Sequence, residues 1–285
     1  MIGHYIKTTK LLAEYKNKTM PILKSLLIIF TISLLISCNN QEKKVTLKVL
    51  DENTTSSTPV SLSKSEKILK KTITAHGGHL YETAQYAFVF RENTFQFKND
   101  GSNYEYTKTY KKGNSEVKDV LKNGVFSRTI NNTAVTLSEK DIASGSGAIN
   151  SVIYFATLPY KLNDEAVNSK YIENISIKGE NYDAIEVNFN QEGGGEDHDD
   201  EYYYWINAAT KKIDYLAYNY SVNKGGVRFR AAYNKRVIDG ITFQDYVNYE
   251  APVGTALKDL PTLFEANQLK ELSKIDTEDV VDLSN

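Results

Sequence analysis

The sequence predicts a mainly β (α+β) domain, a curved antiparallel sheet or open half-barrel with a leading helix and a central helix. Three observations predict it. Tyrosine and phenylalanine are abundant, at 20 and 11 of 285 residues, and both favour strands. Short runs of alternating apolar and polar residues follow one another across turn sequences too short to hold crossover helices, so neighbouring strands must be antiparallel. Two segments alone carry helical periodicity, one ahead of the first strands and one between the two strand groups. A hydrophobic fraction of 41% with 25% charged residues excludes global disorder, and a net charge of −2 argues against a dedicated nucleic-acid binder.

The N-terminal stretch is read separately from the fold. Lys24 precedes an apolar run, Leu26 to Ile36, that ends at Ser37-Cys38. The run is about half of the ~20 residues a membrane-spanning helix needs. A short apolar core behind a basic residue, closed by a small residue, has the form of a secretory signal peptide. Residues 1–37 are therefore expected to be removed, and Met20 supplies a more ordinary start than Met1. Lys7, Lys10, Lys16, Lys18 and Lys24 leave with this segment against the single acid Glu14, so the remaining chain is more acidic. Residues 38–60 are polar and rich in Ser, Thr and Asn, as in Thr54-Thr55-Ser56-Ser57-Thr58. They read as a flexible tether.

The folded part is expected over 61–265. Ser63 and Glu66 form a capping box ahead of Ile68, Leu69 and Ile73, and Gly77-Gly78 stops the helix, giving Lys64 to His76. His76 and His79 flank that stop. Two imidazoles alone are too few for zinc, and a histidine at a helix C-terminus suits the dipole. Tyr86, Phe88 and Phe90 alternate, then Phe95 and Phe97 alternate in the opposite parity, so a turn or bulge separates them. Tyr104 to Tyr110 is a strand, Val117 to Leu121 and Val125 to Ile130 form a hairpin about Asn123-Gly124, and Thr133 to Leu137 follows. Ile149, Val152, Ile153 and Ala156 mark the central helix, ended by Pro159. Ser138 can cap it, but Gly145 and Gly147 favour a start near Ala148. Strands follow at 172–178, 182–189, 202–206, 213–220, 227–233 and 242–249. Pro261 to Leu272 is expected as one short helix that runs into a C-terminal tail, 266–285, whose acidic end, Asp276 to Asn285, is loose.

The residues Leu35-Ile36-Ser37-Cys38 resemble a bacterial lipobox, which implies cleavage before Cys38 and acylation of its thiol and new amine. Several acyl chains anchor a protein far more firmly than one. The element order is similar to the LolA/LolB family of lipoprotein carriers and receptors, half-barrels whose apolar hollow holds acyl chains. Asn150–Asp164, Tyr204–Asn207, Asp214–Tyr218 and Gly225–Arg230 resemble a family of bacterial envelope lipoproteins filed under a domain of unknown function. That resemblance implies a location and brings no catalytic residues. The implied role is a membrane-anchored envelope lipoprotein, on the periplasmic face of the outer membrane, that binds an apolar or amphipathic ligand such as a lipid or a lipoprotein acyl chain.

Candidate site residues come from the strands. Tyr203, Trp205, Tyr215, Tyr218 and Tyr220 are aromatic candidates for a ligand wall. Arg228 and Arg230 share one strand face and can grip a carboxylate or phosphate, or else pair with acids such as Asp214 or Asp245 across strands. Asp197, Asp199, Asp200 and Glu201 follow Gly193-Gly194-Gly195 and are candidate ligands for a divalent cation, though their spacing is not that of an EF-hand loop. No other cofactor is implied. The sequence lacks a G-x-S-x-G elbow, a P-loop, a G-x-G-x-x-G turn and an H-E-x-x-H helix, so no catalytic residue is assigned. Two other roles remain open: an envelope hydrolase acting on glycans or lipids, and a structural or assembly partner using a sheet edge.

Overall fold

Helix α1 (Lys64–His76) starts and stops as the capping signals direct. The Ser63 hydroxyl accepts the Glu66 amide at 3.2 Å, and the Glu66 carboxylate accepts the Ser63 amide at 2.6 Å. Residues 61–190, 200–221 and 224–284 are described by the computed structural model. The signal segment, Cys38, the tether, Asp197 and Asp199 lie outside those residues. His76 is fully buried, and its Nε2 accepts the Ile213 amide at 3.2 Å. Burial, helped by Lys212 and Lys235, lowers its pKa to about 3. It joins the helix end to the sheet behind it as a neutral side chain.

The first sheet begins as a meander: β1 (Gln85–Phe90), β2 (Asn93–Asp100), β3 (Asn103–Lys112), β4 (Ser115–Lys122), β5 (Val125–Ile130) and the two-residue β6 (Thr133–Ala134). The parity break between Phe90 and Phe95 is a two-residue turn, with Arg91 and Glu92 at φ 50° and 64°. Positive φ at both central residues is what a tight hairpin needs to match strand twist. The inward row of this sheet is aromatic: Tyr86, Phe88, Phe95, Phe97 and Tyr106.

Helix α2 (Glu139–Ala156) then crosses between the strand groups. It begins at Glu139 rather than near Ala148. The Ser138 hydroxyl accepts the Asp141 amide at 3.2 Å, and the cap holds the glycine-bearing turns in the helix. Gly145 is there for packing. A Cβ on it would lie 2.3 Å from Cζ of Phe126, so only glycine lets the helix backbone rest on that ring. Ile149 and Ile153 face the first sheet's core, while Tyr154 and Phe155 pack into the core of the second.

The second sheet holds β7 (Val167–Ile177), β8 (Glu180–Phe189), β9 (Tyr202–Asn207), β10 (Ile213–Tyr220), β11 (Gly226–Ile238), β12 (Ile241–Ala251) and β13 (Lys270–Ile275), neighbours in that order and all antiparallel. The fold class is thus the mainly β class read from the sequence, with its strands divided between two seven-stranded sheets. Both faces of the second sheet are covered. One carries Tyr202, Tyr204, Ile206 and Leu216 against α1 and α2. The other carries Tyr203, Trp205, Ala217 and Phe229 against Leu257, Leu260 and Phe264 of the segment leading through α3 (Leu260–Glu265). This explains why all six residues of β9 are buried.

The stretch expected to be a helix and a loose tail is neither beyond Glu265. β13 closes one edge of the second sheet, and β14 (Glu278–Asp282) pairs with β1 at the edge of the first. Backbone pairing, which leaves no periodic mark in an acidic sequence, is what orders β14. Its Val280 also reaches the first sheet's core. The chain therefore passes from one sheet to the other through Asp276-Thr277. Asp245 fastens that crossing: its carboxylate accepts the Thr277 amide and hydroxyl at 2.9 Å, Asn234 at 2.6 Å and Arg236 at 3.2 Å.

Candidate functional site

A cavity of about 310 Å³ opens between the two sheets beside α2. Phe90 and Arg91 of the β1–β2 hairpin, Ser151, Val152, Phe155 and Ala156 of α2, and Tyr218, Arg230, Gln244, Tyr246 and Asn248 of the second sheet form its wall, with Ile275 and Thr277 at the sheet crossing. Strand alternation explains the composition. On β12 every second residue, Gln244, Tyr246 and Asn248, projects to the α2 side, while Phe243 and Tyr249 serve other cores. Ser151 and Arg91 are exposed and mark the mouth.

Arg230 is the central feature. It is only 8% exposed, yet no carboxylate pairs with it among the described residues. Its guanidinium lies 3.8 Å from the centre of the Phe155 ring, and Nη2 donates to the Tyr218 hydroxyl at 2.8 Å. Nε has no partner. A buried charge without a counter-ion is costly, and ring and hydroxyl contacts offset only part of that. Gln244 and Asn248, 8% and 9% exposed, present unpartnered Oε1 and Oδ1 atoms. The orientation of Gln244 is fixed, since Nε2 donates to the Ile213 carbonyl at 2.9 Å and to the Tyr246 hydroxyl at 2.6 Å. Burial pushes the Tyr246 phenol up to about 12, so it remains a neutral hydrogen-bonding group at ordinary pH.

The sequence candidates divide by face. Tyr218 and Arg230 line the cavity. Arg228 and Tyr220 sit farther along the same face, bonded to one another at 2.6 Å, with Glu250 4.0 Å from Arg228. The cross-strand acid for Arg228 is thus Glu250, whereas Asp214 pairs with Lys235 and Asp245 with Arg236. Tyr203, Trp205 and Tyr215 lie on the opposite face, away from this cavity, and fill a core under α3. The physical reason is the period of two: residues 215 and 218, three apart, cannot share a face. Of the cation candidates, Asp200 and Glu201 lead into β9, and the Glu201 carboxylate accepts from Asn219 at 3.1 Å. Burial and the neighbouring Glu186 raise its pKa. No group of three or more metal-ligating side chains occurs among the described residues.

Residues 24–277 match the model of DUF6503, a family of unknown function. The chain belongs to this family. No curated protein matches it. The DUF6503 chain is similar to a LolA superfamily protein from Nitrosomonas europaea, with 11% identity over 78% of this chain and 95% of that one and a TM-score of 0.45. It is also similar to a candidate outer membrane lipoprotein-sorting protein domain from Vibrio parahaemolyticus, at 7% identity over 78% and 93% with a TM-score of 0.42. A third similarity is to a DUF1329 family protein from Desulfovibrio piger, at 7% identity over 77% and 92% with a TM-score of 0.38.

Phe90, Phe155, Gln244, Tyr246 and Asn248 of the DUF6503 chain were not among the sequence candidates. Phe155 reads as one of many helix apolar residues. The signal for the β12 residues is a polar stripe in a strand that proves buried, which no single-strand pattern reveals.

Proposed function

We propose that this protein is a membrane-anchored envelope lipoprotein that binds one apolar or amphipathic ligand in the cavity between α2 and the second sheet. The observation that carries the reading is the aromatic wall of Phe90, Phe155, Tyr218 and Tyr246 around open volume beside a buried, unpaired Arg230. Apolar walls with a few convergent polar groups are the usual make-up of a small-molecule site. The volume is near the lower end of the about 300–1,000 Å³ typical of such sites. It favours a single chain or small molecule over a multiply acylated anchor. Among the described lining residues there is no Asp, Glu, His, Cys or Lys. The wall therefore supplies no paired carboxylates for glycoside hydrolysis, and binding is better supported than hydrolysis.

The anchor rests on Cys38 in its lipobox-like setting, and the periplasmic face of the outer membrane on the resemblance to sorted lipoproteins. The reading is tested by titrating the full chain bearing Cys38→Ser with a fluorescent fatty-acid analogue. Saturable binding is expected, weakened at least tenfold, about 1.4 kcal/mol, by Ser151→Trp, which places a large ring in the mouth from an exposed position. Absence of saturable binding, or equal affinity in both proteins, overturns it.

A further inference from the structure

The walls of the cavity specify a head group as well as a tail. We infer that the ligand is a single-chain amphiphile whose head carries an anionic oxygen beside a hydroxyl or N–H donor, such as a hydroxylated or N-acylated carboxylic acid. The inference rests on the ligand-binding reading above and adds the chemistry of the head.

Three residues that line this one cavity each hold a buried polar atom without a partner: Arg230 Nε, Gln244 Oε1 and Asn248 Oδ1. All three residues are more than nine-tenths buried. Such groups are hydrogen-bonded in folded proteins, because each one left alone costs the free energy of desolvating it. Their signs differ. Nε–H is a donor on a permanent cation, and it asks for an anionic acceptor. Gln244 Oε1 can only accept, since Nε2 of the same amide is committed to Ile213 and Tyr246. A bare carboxylate or phosphate would satisfy Arg230 and leave the Gln244 carbonyl without a donor. A neutral alcohol would satisfy Gln244 and leave Arg230 without a counter-ion. A head with both an anionic oxygen and an adjacent O–H or N–H satisfies Arg230 and Gln244 together.

The rest of the cavity fits a tail. Phe155 covers the guanidinium at 3.8 Å, and Val152, Ala156, Phe90 and Ile275 continue the apolar wall. The head thus lies over β11 and β12 and the chain along α2 toward the β1–β2 hairpin.

Three probes of equal chain length separate the parts: dodecanol, dodecanoic acid and β-hydroxydodecanoic acid, each competed against the fluorescent fatty-acid analogue on the full chain bearing Cys38→Ser. A charge-assisted hydrogen bond predicts that the acid binds about ten- to hundredfold more tightly than the alcohol. The hydroxy acid should bind several-fold more tightly again. Arg230→Met, which keeps the stem packed on Phe155, should abolish the acid-over-alcohol preference. Gln244→Leu should abolish the hydroxyl preference alone. Acid and alcohol binding equally well to the unmutated cavity would overturn the head-group inference while leaving the amphipathic-ligand reading intact. Equal binding of the two acids would overturn the donor requirement. Failure of all three to bind would overturn both readings.

Discussion

Replacing Asp245 with alanine removes the carboxylate that fastens the chain where it passes from the second sheet to the first. Its side chain is 4% exposed and accepts four hydrogen bonds, from the Thr277 amide and hydroxyl, Asn234 and Arg236. Breaking a fully buried ion pair by deleting one partner costs about 3–5 kcal/mol. Here the figure is reduced, because Arg236 is 25% exposed and keeps its bonds to Thr277 and to the Asn234 carbonyl. The Thr277 amide and hydroxyl and the Asn234 amide carry the remaining loss, at about 1 kcal/mol each. The expected destabilisation is therefore about 3 kcal/mol. Trp205 is the single tryptophan, 1% exposed in the second sheet's core, so its fluorescence follows urea unfolding directly. With a slope of about 3 kcal/mol/M, the midpoint should fall by about 1 M. Asp245→Asn, which can still accept from Thr277, should fall between. A midpoint within about 0.3 M of the parent for Asp245→Ala would refute the idea that this residue holds the crossing.

Gly145→Val should lower stability by about 2–3 kcal/mol through overpacking against Phe126, although helix propensity alone favours the change. Phe126→Ala in the same chain should recover part of it, and additive losses in a double-mutant cycle would contradict the contact. His76 titrates at about 3 when folded and near 6.5 when unfolded, so the unfolded chain binds the extra proton between those values. Stability should fall as pH falls through that window, by about 2 kcal/mol from pH 7 to pH 5 for this residue. His76→Gln should flatten the urea midpoint against pH, and an unchanged slope would contradict it. Cys38→Ser should abolish incorporation of radiolabelled palmitate and shift the protein from the detergent phase to the aqueous phase. Retained labelling would dismiss Cys38 as the acylated residue.

What the sequence makes legible is what local chemistry controls. The α1 cap at Ser63 and Glu66, the Asn123-Gly124 hairpin and the parity break before Phe95 each follow from a few adjacent residues, and the structure has all of them. The helix start at Glu139 runs against propensity because the reason for Gly145 is Phe126, distant in sequence on β5. β14 is hidden because an edge strand is held by backbone bonds to β1 and one inward valine. In the site, Arg230 and Tyr218 are recognisable as residue types. Trp205 and Tyr215 look equally suitable until the second sheet is seen to be covered on both faces, one by α2 and the other by α3. The partners that give Arg230 its meaning, Phe155 on α2 and Gln244 and Asn248 on β12, come from two other elements. Only the folded arrangement brings them together.

The central claim is that a ligand chain lies between α2 and β12. It is tested most directly by photo-crosslinking the purified full chain with a diazirine-bearing fatty acid and mapping the modified peptides. The account predicts adducts on residues 151–156 of α2 and 244–248 of β12, competed by unlabelled dodecanoic acid. Adducts confined to Tyr203, Trp205, Tyr215 and α3, or labelling that unlabelled acid does not compete, would contradict it.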